Sequence, residues 1–239
     1  MTWLERWLQT EWPELRVYLT SVTDQWANIG IVGPEGRRVI TELCDDIDFS
    51  GGEFPFMSVR EGTVAGVPAR VFRISFSGEL TYEVNVQANY GMAVWEAIWA
   101  AGQKHGITPY CTETLHHLRA EKGYIIVGQD TDGSVTPVDL GMESMLSKKK
   151  DYLGRRSLSR SDLVRPDREQ LVGLLSENPA EVLPEGGQIV DDPSAPVPVP
   201  MIGHVTSSYY SANLGRSFAL ALVQGGRGRM GDKVHVSLK

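Results

Sequence analysis

The chain has 239 residues, 41% of them hydrophobic, and a formal net charge of −7; this length and composition fit one or two globular domains with cores of their own. An acidic chain repels phosphate backbones, which argues against a nucleic-acid partner, and no apolar run reaches the roughly 18 residues that a membrane span needs. The first residues lack the pattern of a secretory leader, and Cys44 and Cys111 form no CxxC pair, so the expectation is a reduced, cytoplasmic protein with neither a disulfide framework nor a structural zinc site.

In chain order, Trp3, Leu4, Trp7 and Leu8 recur at helical spacing until Pro13, which predicts a helix over residues 1–12. No capping residue precedes it, and the expectation is that the chain begins inside a domain. The run WANIGIVGP predicts a strand ended by Gly33-Pro34, with Pro34 placed for the first turn of a helix over residues 35–43. Residues 64–71 read as a hairpin. Residues 73–76 and 82–86 read as two further strands, separated by SGEL. Met92, Val94, Trp95, Ile98 and Trp99 give residues 91–105 an amphipathic helical pattern, with Gly106 to end it. Residues 114–122 form a second helix stopped by Gly123.

From Gly141 to Arg168 the chain is charged and rich in serine, as a linker is. Lys148-Lys149-Lys150 and Arg155-Arg156 are either a solvated surface run or a docking strip for an acidic partner or an anionic ligand. Short strands follow at residues 170–175, 188–190, 202–207, 218–223 and 234–238, between turns rich in Pro and Gly. That spacing predicts a small barrel or sandwich. The expected architecture is α+β: a first domain over residues 1–145, a charged linker over 146–168, and a small all-β barrel or sandwich over 169–239.

Three stretches carry a likeness. Phe76-Ser77-Gly78-Glu79-Leu80-Thr81-Tyr82-Glu83 has the form aromatic-[ST]-G-E-x-x-aromatic-E. Leu118-Arg119-Ala120-Glu121-Lys122-Gly123 has the form L-R-x-E-x-G and is followed by Gly128-Gln129-Asp130. Gly203-His204-Val205-Thr206-Ser207 precedes Leu214-Gly215 and Phe218-Ala219-Leu220-Ala221. In this order they resemble the motifs of the aminomethyltransferase (glycine-cleavage T-protein) family. The wording LRAEKGYIIVGQDTDGSVTP and SKKKDYLGRRSL is similar to the branch fused to the α subunits of heterotetrameric sarcosine oxidases.

The resemblance implies a partial T-protein-like folate-binding domain followed by the family's terminal barrel. It implies tetrahydrofolate as cofactor and the other oxidase subunits as partners, with flavins and NAD held outside this chain. The implied role is capture of the one-carbon unit of oxidised sarcosine as 5,10-methylenetetrahydrofolate. Other readings stay open: an assembly module that binds no folate, the free T-protein, and the RNA-modification branch. That last branch carries K-G-C-[FY]-x-G-Q-[ED], and its cysteine has no counterpart after Lys122-Gly123.

A reduced pterin presents a 2-amino group and a ring N–H side by side, and one carboxylate accepts both. By motif match that reader is Glu83. The strand pattern puts Tyr82, Val84 and Val86 on one face and Glu83 and Asn85 on the other. Such a carboxylate fits a site or a solvated strand face alike. Tyr82, its neighbour in the motif, is carried over with it as a cofactor-binding residue. Arg119 matches an arginine at the family's folate pocket, where it pairs with a pocket carboxylate or a folate carbonyl; the alternative is an ion pair with a neighbour such as Glu121. Phe76 keeps a ring face for packing on the ligand or the core, but lacks the hydroxyl of the Tyr that relatives often carry there. The family's catalytic acid lies upstream of the matched regions, and the surroundings of Asp24 do not match its motif, so no catalytic residue is assigned. His116, His117, His204 and His235 read as packing or interface residues. The Gly-rich run at residues 225–229 lies between strands and opens no helix, so no phosphate cradle is expected there.

Overall fold

The computed structural model describes residues 1–237. Leu238, the end of the last expected strand, lies outside them. The chain divides into two units, Met1–Pro109 and Tyr110–Lys239. None of the helices among the described residues is long and apolar enough to cross a membrane.

In the first unit, β1 (Trp26–Val32), β2 (Ser58–Val64), β3 (Val67–Arg73) and β4 (Thr81–Gln87) form an antiparallel sheet in the order β1-β4-β3-β2. The helices are α1 (Thr2–Thr10), α2 (Gly36–Thr41) and α3 (Gly91–Gly102). Strand alternation fills one sheet face with Tyr82, Val84 and Val86 of β4, Ile29 and Ile31 of β1, and Ala69 and Val71 of β3. Val39 and Ile40 of α2 and Val94 and Ile98 of α3 belong to the same buried cluster. Helix α1 buries none of its residues, although Trp3 and Trp7 meet edge to face at 5.1 Å. The expected hairpin forms around Ala65-Gly66, both at positive φ (50° and 76°), as a two-residue turn between right-twisted strands requires.

The strand expected over residues 73–76 does not form. Arg73 is the last residue of β3, and residues 74–80 are a loop. Local side chains satisfy this loop in place of a sheet partner: Thr81 Oγ1 lies 3.1 Å from both Ser75 Oγ and Glu79 O, and Gly78 turns the chain at φ 79°.

The second unit contains α4 (Thr112–Glu121), β5 (Glu169–Leu175), β6 (Gln188–Val190), β7 (Gly203–Ser211), β8 (Arg216–Gln224) and β9 (His235–Val236). The strands form one antiparallel sheet in the order β5-β8-β7-β6-β9. Among the described residues no strand pairing closes β5 onto β9, so the expected barrel is an open, barrel-like sheet. Helix α4 ends as Gly123 predicts: Tyr124 N donates to Arg119 O and Gly123 N to Ala120 O, both at 2.9 Å, with Gly123 at φ 73°. The units part at Pro109/Tyr110. In the second unit, residues 136–145 are tied to the sheet. Leu171 N donates to Asp139 O at 2.9 Å, and Arg227 Nη2 donates to Val138 O at 2.7 Å.

Close approach explains one glycine of the third motif. A Cβ on Gly203 would stand 2.1 Å from Leu222 O and 2.9 Å from Val223 Cα on the adjacent strand. Gly203→Ala is therefore expected to force β7 and β8 apart and to destabilise the chain by about 1–3 kcal/mol, read as a lower denaturant midpoint.

Candidate functional site

The sheet face opposite the first core is polar at its centre. Pairing places Asn28 opposite Asn85 and Gly30 opposite Glu83, and on the other side of β4 places Phe72 opposite Glu83 and Arg70 opposite Asn85. Asn28 Nδ2 donates to Glu83 Oε2 and to Asn85 Oδ1, each at 3.1 Å. The amide thus pins one carboxylate oxygen, while Glu83 Oε1 has no hydrogen-bond partner among the described residues. Arg70 donates to Glu61 Oε1 at 2.9 Å, and its guanidinium lies 4.8 Å from the centre of the Trp26 ring. Glu83 is a half-buried carboxylate on an otherwise accessible surface, free to accept two further donors.

Tyr82 faces the other way. It is wholly buried, packs edge-on against Phe49 at 5.3 Å, and accepts a hydrogen bond from Arg37 Nε at 3.1 Å. Tyr82 therefore anchors β4 from the core side, one residue from Glu83. Phe76 is 37% exposed in the loop before β4, with its ring accessible.

Arg119 also lies in the interior, at 0% exposure, on α4 of the second unit. Its guanidinium donates to Asp130 Oδ2, to Tyr124 O at 3.0 Å and to Ser207 Oγ at 2.8 Å, and its Nε is buried without a partner. Asp130 is equally buried. It accepts from Ile126 N at 2.8 Å and from the Thr206 and Ser207 hydroxyls at 2.6 Å each. Two successive hydroxyls reach one carboxylate because the β7–β8 register shifts between Val205 and Ser207. The ion pair with Glu121 left open by the sequence does not form; Glu121 instead accepts from Ser211 Oγ at 2.5 Å and Asn213 Nδ2 at 3.0 Å. This network fastens the end of α4 and the Gly128-Gln129-Asp130 turn to β7.

Sequence reasoning did not single out Asn28 as a partner of Glu83. The available clue was a polar residue of low strand propensity in WANIGIV. It quoted Asp130 in a motif without naming it as the partner of Arg119, because a contact between a turn and a helix leaves no periodic trace. His117 packs on Tyr209 with ring centres 4.4 Å apart, and its Nδ1 lies 2.8 Å from Glu113 O. Lys148, Lys149, Lys150, Arg155 and Arg156 are all exposed.

A second buried carboxylate secures the segment before the basic run. Burial opposes the ionisation of Asp139. The Arg168 guanidinium, at 2.8 Å, and the amide and hydroxyl of Thr136, at 2.7 and 2.9 Å, outweigh that and hold its pKa below the ordinary 3.8.

Residues 1–150 match the family described as the GCVT N-terminal domain, and residues 169–239 match the glycine cleavage T-protein C-terminal barrel domain. The chain belongs to the glycine-cleavage T-protein family. Within it, sarcosine oxidase subunit alpha of Corynebacterium sp. (strain P-1) is 53% identical over 235 residues, covering 97% of this chain and 24% of that protein. Its counterpart in Rhizobium meliloti (strain 1021) is 42% identical over 239 residues, covering 99% of this chain and again 24% of the relative. The chain thus spans about a quarter of the length of these two relatives. Among solved structures, the glycine cleavage system aminomethyltransferase T of Bartonella henselae shares the fold, with a TM-score of 0.74 at 20% identity over 90% of this chain and 56% of that one.

Two outcomes follow from the second unit. Arg119→Met strands Asp130 as a buried charge without its cation and is expected to destabilise the chain by about 3–5 kcal/mol, measured by urea denaturation. Because the folded pKa of Asp139 is depressed, its contribution to stability is full above the unfolded value of 3.8 and is lost as pH falls through the lower folded value. Melting temperatures measured from about pH 5 to pH 2 are expected to fall less steeply in Asp139→Asn than in the parent chain.

Proposed function

We propose that the chain binds a reduced folate, with Glu83 as the carboxylate that reads the pterin edge. The observation that carries this reading is the state of Glu83. It stands at the motif position on the open sheet face, one oxygen is oriented by Asn28, and Oε1 is left free to accept. Its remaining acceptor capacity fits the paired 2-amino and ring N–H donors of a pterin. Phe76 offers an accessible ring face near the start of the same strand. Tyr82 supports the site from the core side by locking β4. Arg119, within its own unit, fixes the turn that carries Gly128-Gln129-Asp130.

The likeness to sarcosine oxidase α subunits supports a larger setting. In it the chain is the folate-handling part of a cytoplasmic, heterotetrameric oxidoreductase whose other subunits are its partners and whose flavins and NAD bind outside these residues. Bound there, a reduced folate would supply the two amine nitrogens that accept the methylene group of the iminium formed by sarcosine oxidation, giving 5,10-methylenetetrahydrofolate and releasing glycine. The residues of this chain contribute binding and orientation, which lower the barrier by fixing the reactive amine in place.

The test is anaerobic calorimetric titration of the folded chain with tetrahydrofolate, beside Glu83→Gln and Glu83→Ala. Saturable binding to the parent chain, lost in both variants, is the expected result. Equal binding by parent and variants removes Glu83 from the site. Absence of binding by a folded parent chain favours an assembly role.

A further inference from the structure

Gly30 stands inside β1 directly opposite Glu83, and it is exposed. Its backbone does not explain its identity. Gly30 is absent from the glycines at positive φ, so any residue would adopt its conformation, and glycine within a strand weakens it. What glycine provides here is the lack of a side chain beside the carboxylate. Across β4 from Glu83 lies Phe72, half-buried on the same face. The row Gly30–Glu83–Phe72 is therefore an open floor, an acceptor and an aromatic wall, side by side on neighbouring strands.

Asn28 completes the arrangement. Its two amide hydrogens are both committed, to Glu83 Oε2 and to Asn85 Oδ1, so the amide cannot rotate without losing one bond. That holds one oxygen of a carboxylate whose side chain is otherwise flexible. A held oxygen matters for a ligand with two parallel N–H donors, because both bonds form only when the acceptor faces them edge-on.

We infer that Gly30 and Phe72 bound a slot for a planar heterocycle beside Glu83, and that Asn28 is a positioning residue that sets the carboxylate for paired N–H donors. This rests on the folate reading and specifies which residues around Glu83 determine what enters. Gly30→Val restores a strand-favouring side chain but fills the slot. Asn28→Leu keeps similar bulk and releases the carboxylate.

The experiment titrates the full chain with tetrahydrofolate and with its 2-desamino analogue, for the parent, Glu83→Gln, Gly30→Ala, Gly30→Val and Asn28→Leu, with a thermal melt of each. Gly30→Val is expected to lose about tenfold or more in affinity at an unchanged or higher melting temperature, with Gly30→Ala intermediate. Asn28→Leu is expected to lose discrimination between the two ligands; a merely structural role would weaken both equally. Parent-like affinity in Gly30→Val and Gly30→Ala, or discrimination kept in Asn28→Leu, overturns the inference. If Glu83→Gln still loses binding in that case, the folate reading survives without the slot. Parent-like binding by Glu83→Gln removes both.

Discussion

Alternation along β4 is the constraint on which the first unit depends. One seven-residue strand supplies Tyr82, Val84 and Val86 to the core and presents Glu83 and Asn85 on the opposite face. The position of the carboxylate is therefore set by the burial of its immediate neighbours. Hydrophobic burial of about 1.5–3 kcal/mol per large side chain holds the strand in register, and a one-residue slip would turn Glu83 into the core. The site gains rigidity from the core without any charged group being buried beneath it.

The second unit solves a different problem. It carries a wholly buried cation and anion, a combination that is costly unless every atom is satisfied. The interaction is spread over a helix end, a turn and a bulged strand, through Tyr124 O, Ile126 N, Thr206 and Ser207, which leaves Arg119 Nε without a partner. Such a network adds little net stability compared with an apolar filling, but it admits one arrangement of its parts. In this chain the geometry so specified is the turn Gly128-Gln129-Asp130.

Much of this was legible in the sequence where a period or a breaker carries it. The strands over WANIGIV and TYEVNVQ, the stop of α4 at Gly123 and most of the later strands follow from alternation, apolar runs and glycine placement. The misread segment, residues 73–76, has strand-like composition, yet Ser75, Ser77 and Thr81 satisfy one another locally and the chain has no need of a sheet partner. Of the site, Glu83 was readable from its motif and its place opposite an apolar stripe. Asn28 was not, since its link to Glu83 spans 55 residues and depends on pairing between β1 and β4. Arg119 was readable as important, but its burial was not, because a charged residue near a helix end has the same local pattern whether it faces water or a buried aspartate.

The register shift in β7 also bears on how the second unit opens. Thr206 and Ser207 hold Asp130 only while β7 remains paired with β8, so fraying at that point would expose one charge and strand the other. Partial opening is thereby penalised more heavily than its few backbone bonds would suggest. Amide protons on both sides of the bulge, in the turn and at the end of α4 then share a single opening event, and these distant segments exchange with solvent as one cooperative block.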